Sequence, residues 1–151
     1  MLKNSKTTPL RMVFDCSACE SINAPSSNDC LHSGPSLINE MVSVLMRFRS
    51  SAFACFSDIE KAYLQIELCE ENRDATRFLW PDDPFDVNSK INVYRFRVFF
   101  GATCSQFLLN LSLKRHIENS SGVHSESIAD GLYVDNLIYS THGENKLIDF
   151  Y

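Results

Sequence analysis

The stretches AFACFSDI (residues 52–59) and GLYVDNLIYS (residues 131–140) decide the fold of this chain. The first is a compact apolar run, and it predicts a buried strand with Asp58 at its exit. The second has two short apolar arms on either side of Asp135-Asn136, a pair that suits a tight turn, and it predicts a β-hairpin. A hairpin that docks beside the first strand would bring Asp58 and Asp135 together.

The segments around these two stretches predict a mixture of helices and strands. Apolar residues recur with helical spacing from about residue 36 to residue 50 and again over residues 105–117, and strands are predicted at residues 76–80 and 91–99. The other predictions are a strand at 10–15, a long loop at 16–36, an acidic turn at 67–74, a loop or ragged helix end at 119–130, a hairpin at 131–140 and the start of a helix at the end of the chain. The order β-α-β-β-β-α-β-β fits an α+β fold.

Length and composition indicate one ordinary globular domain. The chain has 151 residues, of which 44% are hydrophobic and 22% charged, and domains usually have ~100–200 residues. Its net charge of -5 counts against a free-standing nucleic-acid binder, because phosphate contacts drive the affinity of such proteins. The sequence has no apolar run of ~18 residues and no signal-peptide pattern at its start, so we expect an intracellular, cytoplasmic protein without membrane contact.

The two carboxylates are candidates for a metal site. Mg²⁺ prefers one or two carboxylates together with substrate phosphates, and two such ions ~3.5–4 Å apart can promote attack of a 3′-hydroxyl on a phosphate. Acidic residues at strand ends and turns are also commonly solvated, so the pattern alone leaves both interpretations open. Motifs of serine hydrolases and of nucleotide-binding loops are not present in the sequence.

Four motifs in order resemble reverse transcriptases. DIEKAYLQI at residues 58–66 resembles their first palm motif, and YVDN at residues 133–136 resembles their Y-x-D-D box. FGATCS at residues 100–105 is similar to the loop that opens the palm helix, and Arg11 with Asp15 resembles the fingers strand upstream. Any one of these motifs would be weak evidence, but four in register are specific.

Finer details resemble the BEL/Pao group of LTR retrotransposons. These details are NDCL at residues 28–31, Gly34-Pro35, Asp74 and RFLW at residues 77–80. The resemblance covers roughly residues 9–142. It implies an α+β fold with a reverse-transcriptase-like palm, an antiparallel sheet with helices on one face, plus partial fingers, and a chain truncated before the thumb.

The resemblance also implies an assignment of residues to subdomains. Fingers-like segments would be about 1–52 and 68–100, and palm-like segments about 53–67 and 101–151. The activity implied is RNA-directed DNA synthesis, in which deoxynucleotides are added to a primer 3′ end by two-metal catalysis with Mg²⁺ or Mn²⁺. The partners implied are an RNA or DNA template with its primer, deoxynucleoside triphosphates, and the thumb and ribonuclease H domains of the intact element.

Particular residues take particular roles under this resemblance. The implied catalytic residues are Asp58, Asp135 and Asn136; the metal ligands are Asp58, the Ile59 carbonyl and Asp135; the nucleotide-binding residues are Arg11, Tyr63, Phe100 and Gly101. Tyr63 would be a steric gate, because a flat ring under the incoming sugar collides with a 2′-hydroxyl. Arg11 would reach the triphosphate, since a guanidinium fork suits phosphate oxygens.

Two positions depart from the family pattern. Asn136 stands where the family has a second aspartate, and an amide is a weaker ligand for a hard cation. Gln106 stands where proline is usual, which is a smaller change. The alternative is therefore a catalytically inactive retroelement relic with at most weak nucleic-acid binding. A third hypothesis is a small zinc-binding interaction module that uses four possible ligands: Cys16, Cys19, Cys30 and His32.

Overall fold

The computed structural model describes residues 14–150, which divide into two compact units. The first unit combines the residues up to His32 with Tyr63–Ser105, and the second combines Ser33–Ala62 with the residues from Gln106 onward. Helices and small antiparallel sheets occur together, so the α+β class is confirmed. None of the helices within residues 14–150 is both long enough and apolar enough to span a membrane.

The helices and strands follow one another in a mixed order along the chain. They are α1 (Met41–Arg49), β1 (Phe53–Asp58), β2 (Arg77–Pro81), β3 (Ile91–Arg95), α2 (Ser105–Asn119), α3 (Ser125–Gly131), β4 (Leu132–Tyr133), β5 (Asn136–Thr141) and α4 (Glu144–Phe150). Short 3-10 helices form at Asn28–Cys30, Ala62–Gln65 and Glu70–Thr76.

The second unit is organised around a three-stranded antiparallel sheet in the order β1-β5-β4. The Tyr139 ring in β5 stacks on Phe150 of α4, and the hydroxyl of the next residue, Ser140, donates to the Arg47 carbonyl in α1. Because successive side chains of a strand point to opposite faces, α4 and α1 contact β5 through both faces. The resemblance to reverse transcriptases had implied helices on one face of the sheet.

The first strand of this sheet is exposed, contrary to the prediction of a buried strand. Within β1, only Cys55 is half-buried, while Phe56 remains 61% exposed. The elements packed on the two faces of the sheet leave most β1 side chains uncovered, and among residues 14–150 β1 pairs only with β5. An apolar sequence predicts a strand, but its burial depends on what the fold places against it.

Helix α1 begins at Met41, several residues later than its apolar spacing predicts. Glu40, just before the helix, is extended, and the residue before it makes tertiary hydrogen bonds. The Asn39 amide donates to the carbonyls of Ala129 (2.7 Å) and Leu132 (2.9 Å). The predicted end near residue 50 is confirmed, because the helix ends at Arg49.

The connection before the β4–β5 hairpin is more ordered than predicted. Residues 119–130 were expected to form a loop or ragged helix end, but Ser125–Gly131 is helix α3. Its last residue, Gly131, is buried directly against the backbone of β5, where a Cβ would overlap the Ile138 carbonyl oxygen. The predictions for α2 and for a helix near the chain end are confirmed.

The first unit contains the two-stranded antiparallel sheet β2–β3 and a cluster of aromatic rings. Phe14 lies at the centre of this cluster, with its ring centroid 4.6 Å from Phe99, 4.9 Å from Phe96 and 5.6 Å from Phe78. Strand β3 ends at Arg95 rather than at residue 99, because Phe96 and Phe99 join the cluster. Most of the strand predicted at residues 10–15 lies outside the described residues, and Phe14 and Asp15 are not in a strand.

Candidate functional site

The β4–β5 hairpin places the two predicted acidic residues beside each other along the backbone. Strand β1 pairs with β5 in a register that runs from Phe53 opposite Thr141 to Asp58 opposite Asn136. The Ile59 N–H then donates to the Asp135 carbonyl oxygen at 2.9 Å. The prediction that a hairpin docks beside the first strand is therefore confirmed. Asp58, Ile59, Asp135 and Asn136 form one cluster in the second unit, which we call the carboxylate cluster.

The turn of the hairpin lies one residue earlier than predicted. Tyr133 and Asn136 are paired across the turn, so its two central residues are Val134 and Asp135. Val134 adopts a φ of 59°, a left-handed conformation that is unusual for a β-branched residue. This strained turn sets Asp135 at the tip, while Asn136 becomes the first residue of β5.

Asn136 is hydrogen-bonded to the carboxylate of the preceding residue. Its Nδ2 donates to Oδ1 of Asp135 at 3.1 Å. An aspartate at this position would present an acceptor in place of the donor and would repel Asp135. The Asn136 amide therefore occupies one of the Asp135 oxygens that a cation would use.

The cluster has the ligands for a hard cation only in part. Asp58 is exposed, whereas Asp135 and Asn136 are half-buried. Two carboxylates are enough for Mg²⁺ when waters and substrate phosphates complete its shell. Over residues 14–150, however, the structure has no group of three or more His, Cys, Asp or Glu side chains that could hold a metal ion. The protein side of any such site therefore consists of two carboxylates with an amide beside them.

The loop at residues 100–105 is fixed by side chains from distant and nearby sequence. The Asn28 side chain bonds the loop at two points, since its amide donates to the Gly101 carbonyl (3.2 Å) and its carbonyl accepts from the Thr103 N–H (2.9 Å). The buried Ser105 hydroxyl donates to the Phe99 carbonyl at 2.6 Å. Gly101 has a φ of 111°, which favours glycine, and a Cβ there would lie 2.8 Å from the Phe14 carbonyl oxygen.

Tyr63 and Phe100, two of the predicted nucleotide-binding residues, are in contact in the first unit. Tyr63 is buried in the 3-10 helix Ala62–Gln65, and its ring meets that of Phe100 edge to face at 5.0 Å between centroids. Gly101 follows Phe100 directly in the same unit. The structure thus groups three of the four predicted nucleotide-binding residues in one unit, while the fourth, Arg11, lies outside the described residues.

Asn28 is a site residue whose role was not predicted. It is separated from Gly101 by 73 positions in sequence, and its two hydrogen bonds are long-range. No local pattern marks an asparagine for such a role. Its place at the start of the NDCL motif is the one signal in the sequence that singles it out.

The zinc hypothesis is wrong for this structure. Cys16, Cys19, Cys30 and His32 all lie within the described part of the chain, and they do not form a group that could hold a metal. Cys16 is buried, and burial raises the pKa of its thiol, which opposes the thiolate form that zinc binds. These cysteines are therefore free thiols of the loop.

Comparison with known proteins adds no family assignment. No protein-family model matches the chain, and a search of curated proteins finds no significant match.

Proposed function

We propose that this chain is part of a reverse transcriptase of a BEL/Pao-like retrotransposon, comprising palm-like and partial fingers-like segments. The activity is template-directed addition of deoxynucleotides to a primer 3′ end. The template is RNA or DNA, and the thumb and ribonuclease H domains of the element complete the enzyme. The observation that carries the proposal is the β1–β5 register, which sets Asp58 opposite Asn136 and next to Asp135.

The carboxylate cluster supports a site for divalent cations in this proposal. Asp58 ends β1 and Asp135 lies in the turn between β4 and β5, beside the last pair of the β1–β5 ladder. The Ile59 carbonyl, the third predicted ligand, accepts from the Ala62 N–H at 3.2 Å. Mg²⁺ or Mn²⁺, when bound, would lower the barrier for attack of the primer hydroxyl by stabilising charge on the phosphate oxygens. The exposure of Asp58 leaves room for substrate phosphates, which must supply the remaining ligands.

The aromatic pair and the glycine loop support nucleotide binding. Tyr63 is stiffened by burial and by its contact with Phe100, which is what a steric gate for the 2′-hydroxyl requires. The absence of a Cβ at Gly101 makes room for the Phe14 carbonyl, and Asn28 fixes the loop that carries the glycine. Gly101 is exposed, so a base pair would approach this fixed loop from its solvent side.

A specific observation favours a second candidate, the catalytically inactive relic. The amide of Asn136 donates to an oxygen of Asp135, so that oxygen must exchange a hydrogen bond for a cation before it can act as a ligand. The cluster also has one negative charge fewer than a site with a second aspartate. Under this alternative the chain binds a template–primer weakly and does not extend it.

We expect Asp58→Asn to lower the affinity for Mn²⁺ at least about tenfold, because one of two carboxylates is lost while the side-chain shape is kept. Isothermal titration calorimetry with the whole chain measures this effect. In a fusion of the whole chain to the thumb of a related polymerase, the same variant should abolish primer extension with deoxynucleotides.

Glu60→Gln is the matched control for this experiment. It removes the same charge from a neighbouring exposed position, where Glu60 pairs with Lys61 at 3.5 Å. Manganese affinity that is equal in the two variants would refute the metal site. Template–primer binding without extension by the native fusion would support the inactive relic instead.

We expect Tyr63→Val to admit ribonucleotides, because it removes the ring that contacts Phe100 and opens space at the gate. The ratio of ribonucleotide to deoxynucleotide incorporation should rise at least about tenfold, a difference of about 1.4 kcal/mol. This ratio is measured within one preparation, so it does not depend on the fraction of active protein. Tyr63→Phe keeps the ring and should leave the ratio unchanged; a shift of equal size there would argue against a steric gate.

A further inference from the structure

The loop that joins β2 to β3 displays two apolar side chains fully to solvent. We call residues 82–90 the acidic loop. Phe85 is 95% exposed and Val87 is 100% exposed, although both are large apolar residues. Between and beside them lie three aspartates (Asp82, Asp83 and Asp86) and one basic residue (Lys90). Two neighbouring apolar side chains this exposed are a feature of interaction surfaces rather than of inert loops.

Hydrogen bonds within the acidic loop fix its backbone. The Asp83 carboxylate accepts from the Phe85 N–H at 2.9 Å, and the Asp86 carboxylate accepts from the Asn88 N–H at 2.9 Å. The Asp82 N–H donates to the Lys90 carbonyl at 2.9 Å and closes the loop. The apolar side chains are thus presented on an ordered backbone, which lowers the entropy lost when a partner binds.

An aliphatic strip on the hairpin extends the exposed surface. Leu79 is paired with Val93, and Pro81 with Ile91, so these four side chains share one face of the two strands. Leu79, Val93 and Ile91 are between 55% and 65% exposed. The hairpin as a whole therefore offers an apolar surface that ends in a negatively charged loop.

The charge of the acidic loop distinguishes among possible binding partners. Three carboxylates against one ammonium repel the phosphates of nucleic acids and of anionic membranes. The same carboxylates attract lysine and arginine, and charge complementarity of this kind steers protein association. We infer that the β2–β3 hairpin is a docking surface for a protein partner whose apolar helical face packs against Phe85 and Val87 and is bordered by basic residues. This inference does not depend on polymerase chemistry.

The test uses the whole chain and two designed amphipathic helical peptides. The peptides share the same leucine face, which is bordered by lysines in one and by glutamates in the other. Fluorescence anisotropy should show the lysine-bordered peptide binding at least about tenfold more tightly. The double variant F85S/V87S should lose at least about tenfold in affinity for that peptide. Both replaced side chains are fully exposed, so the variant should fold, and circular dichroism checks this.

Two further variants sharpen the result. D82N/D83N/D86N keeps the Oδ1 acceptors that order the loop and removes only charge, so the two peptides should then bind alike. I22S/V123S replaces two equally exposed apolar residues elsewhere and should bind as the native chain does. Failure of both peptides to bind, equal affinity for the two peptides, or equal losses in I22S/V123S and F85S/V87S would each overturn the proposal.

Binding of this surface to a membrane or to a second copy of the chain would also overturn the proposal. Binding to phosphatidylcholine–phosphatidylserine vesicles that F85S/V87S abolishes would assign the surface to a membrane. A concentration-dependent dimer in sedimentation analysis that the same variant abolishes would assign it to a second copy of this chain.

Discussion

Asn136→Asp is expected to raise the affinity for Mn²⁺ at least about tenfold and, in the thumb fusion, to increase primer extension above that of the native sequence. The substitution places a third carboxylate beside Asp58 and Asp135, in the pair that ends the β1–β5 ladder. It also removes the hydrogen bond from the Asn136 amide to Asp135, so both oxygens of Asp135 become available to a cation. Both changes act in the same direction.

The same substitution should destabilise the metal-free chain. Loss of the hydrogen bond costs about 1 kcal/mol, and repulsion between adjacent carboxylates adds to this. A cation that binds only the folded state restores stability, by about 2.7 kcal/mol when its concentration is about a hundred times the dissociation constant. We therefore expect Asn136→Asp to unfold at lower urea than the native chain without metal, and to gain more from added Mn²⁺.

Asn23→Asp is the control for this pair of measurements. Asn23 is exposed and belongs to the first unit, so its replacement adds the same charge to a residue that is not part of the carboxylate cluster. It should change neither manganese affinity nor extension. If Asn136→Asp bound Mn²⁺ no better than Asn23→Asp, the carboxylate cluster would not be a cation site. Extension by the native fusion at full rate would show that the amide at position 136 is tolerated.

The centre of the second unit could be predicted from sequence because its determinants are local. An apolar run ending in Asp58, and two short apolar arms around a turn, each specify a strand or a hairpin within about ten residues. The hairpin pairs with that strand through β5, which gives the observed order β1-β5-β4. The position of the turn was wrong by one residue, because Val134 accepts a strained φ that its residue type disfavours.

What sequence could not predict depends on partners far along the chain. Helix α1 starts later than predicted because the Asn39 amide hydrogen-bonds to carbonyls about ninety positions away. The Gly101 loop is likewise fixed by hydrogen bonds from the Asn28 side chain. The exposure of β1 depends on which elements cover the faces of the sheet, and its own residues do not encode this. Helix α3 was missed because its short, polar sequence lacks a clear apolar face.

Gly131→Ala is expected to lower the free energy of unfolding by about 3 kcal/mol, because the added methyl group has no space. Gly131 ends α3 and immediately precedes β4, and a Cβ there would overlap the Ile138 carbonyl oxygen in β5 and lie 3.5 Å from Leu137 Cδ1. Strand β5 is paired on both sides and cannot move without breaking the sheet. The end of α3 must therefore move away from β5.

That displacement should also reach the carboxylate cluster. Leu132 begins β4, so a shift at Gly131 is transmitted to the hairpin that carries Asp135. Gly143→Ala is the control, since a Cβ at Gly143 meets nothing closer than the Lys146 side chain at 3.8 Å. Urea unfolding followed by far-UV circular dichroism should show a lower midpoint for Gly131→Ala alone, together with weaker Mn²⁺ binding. Equal midpoints for the two variants would contradict the close contact between Gly131 and the Ile138 carbonyl. The position of the hairpin would then depend on its pairing with β1 alone.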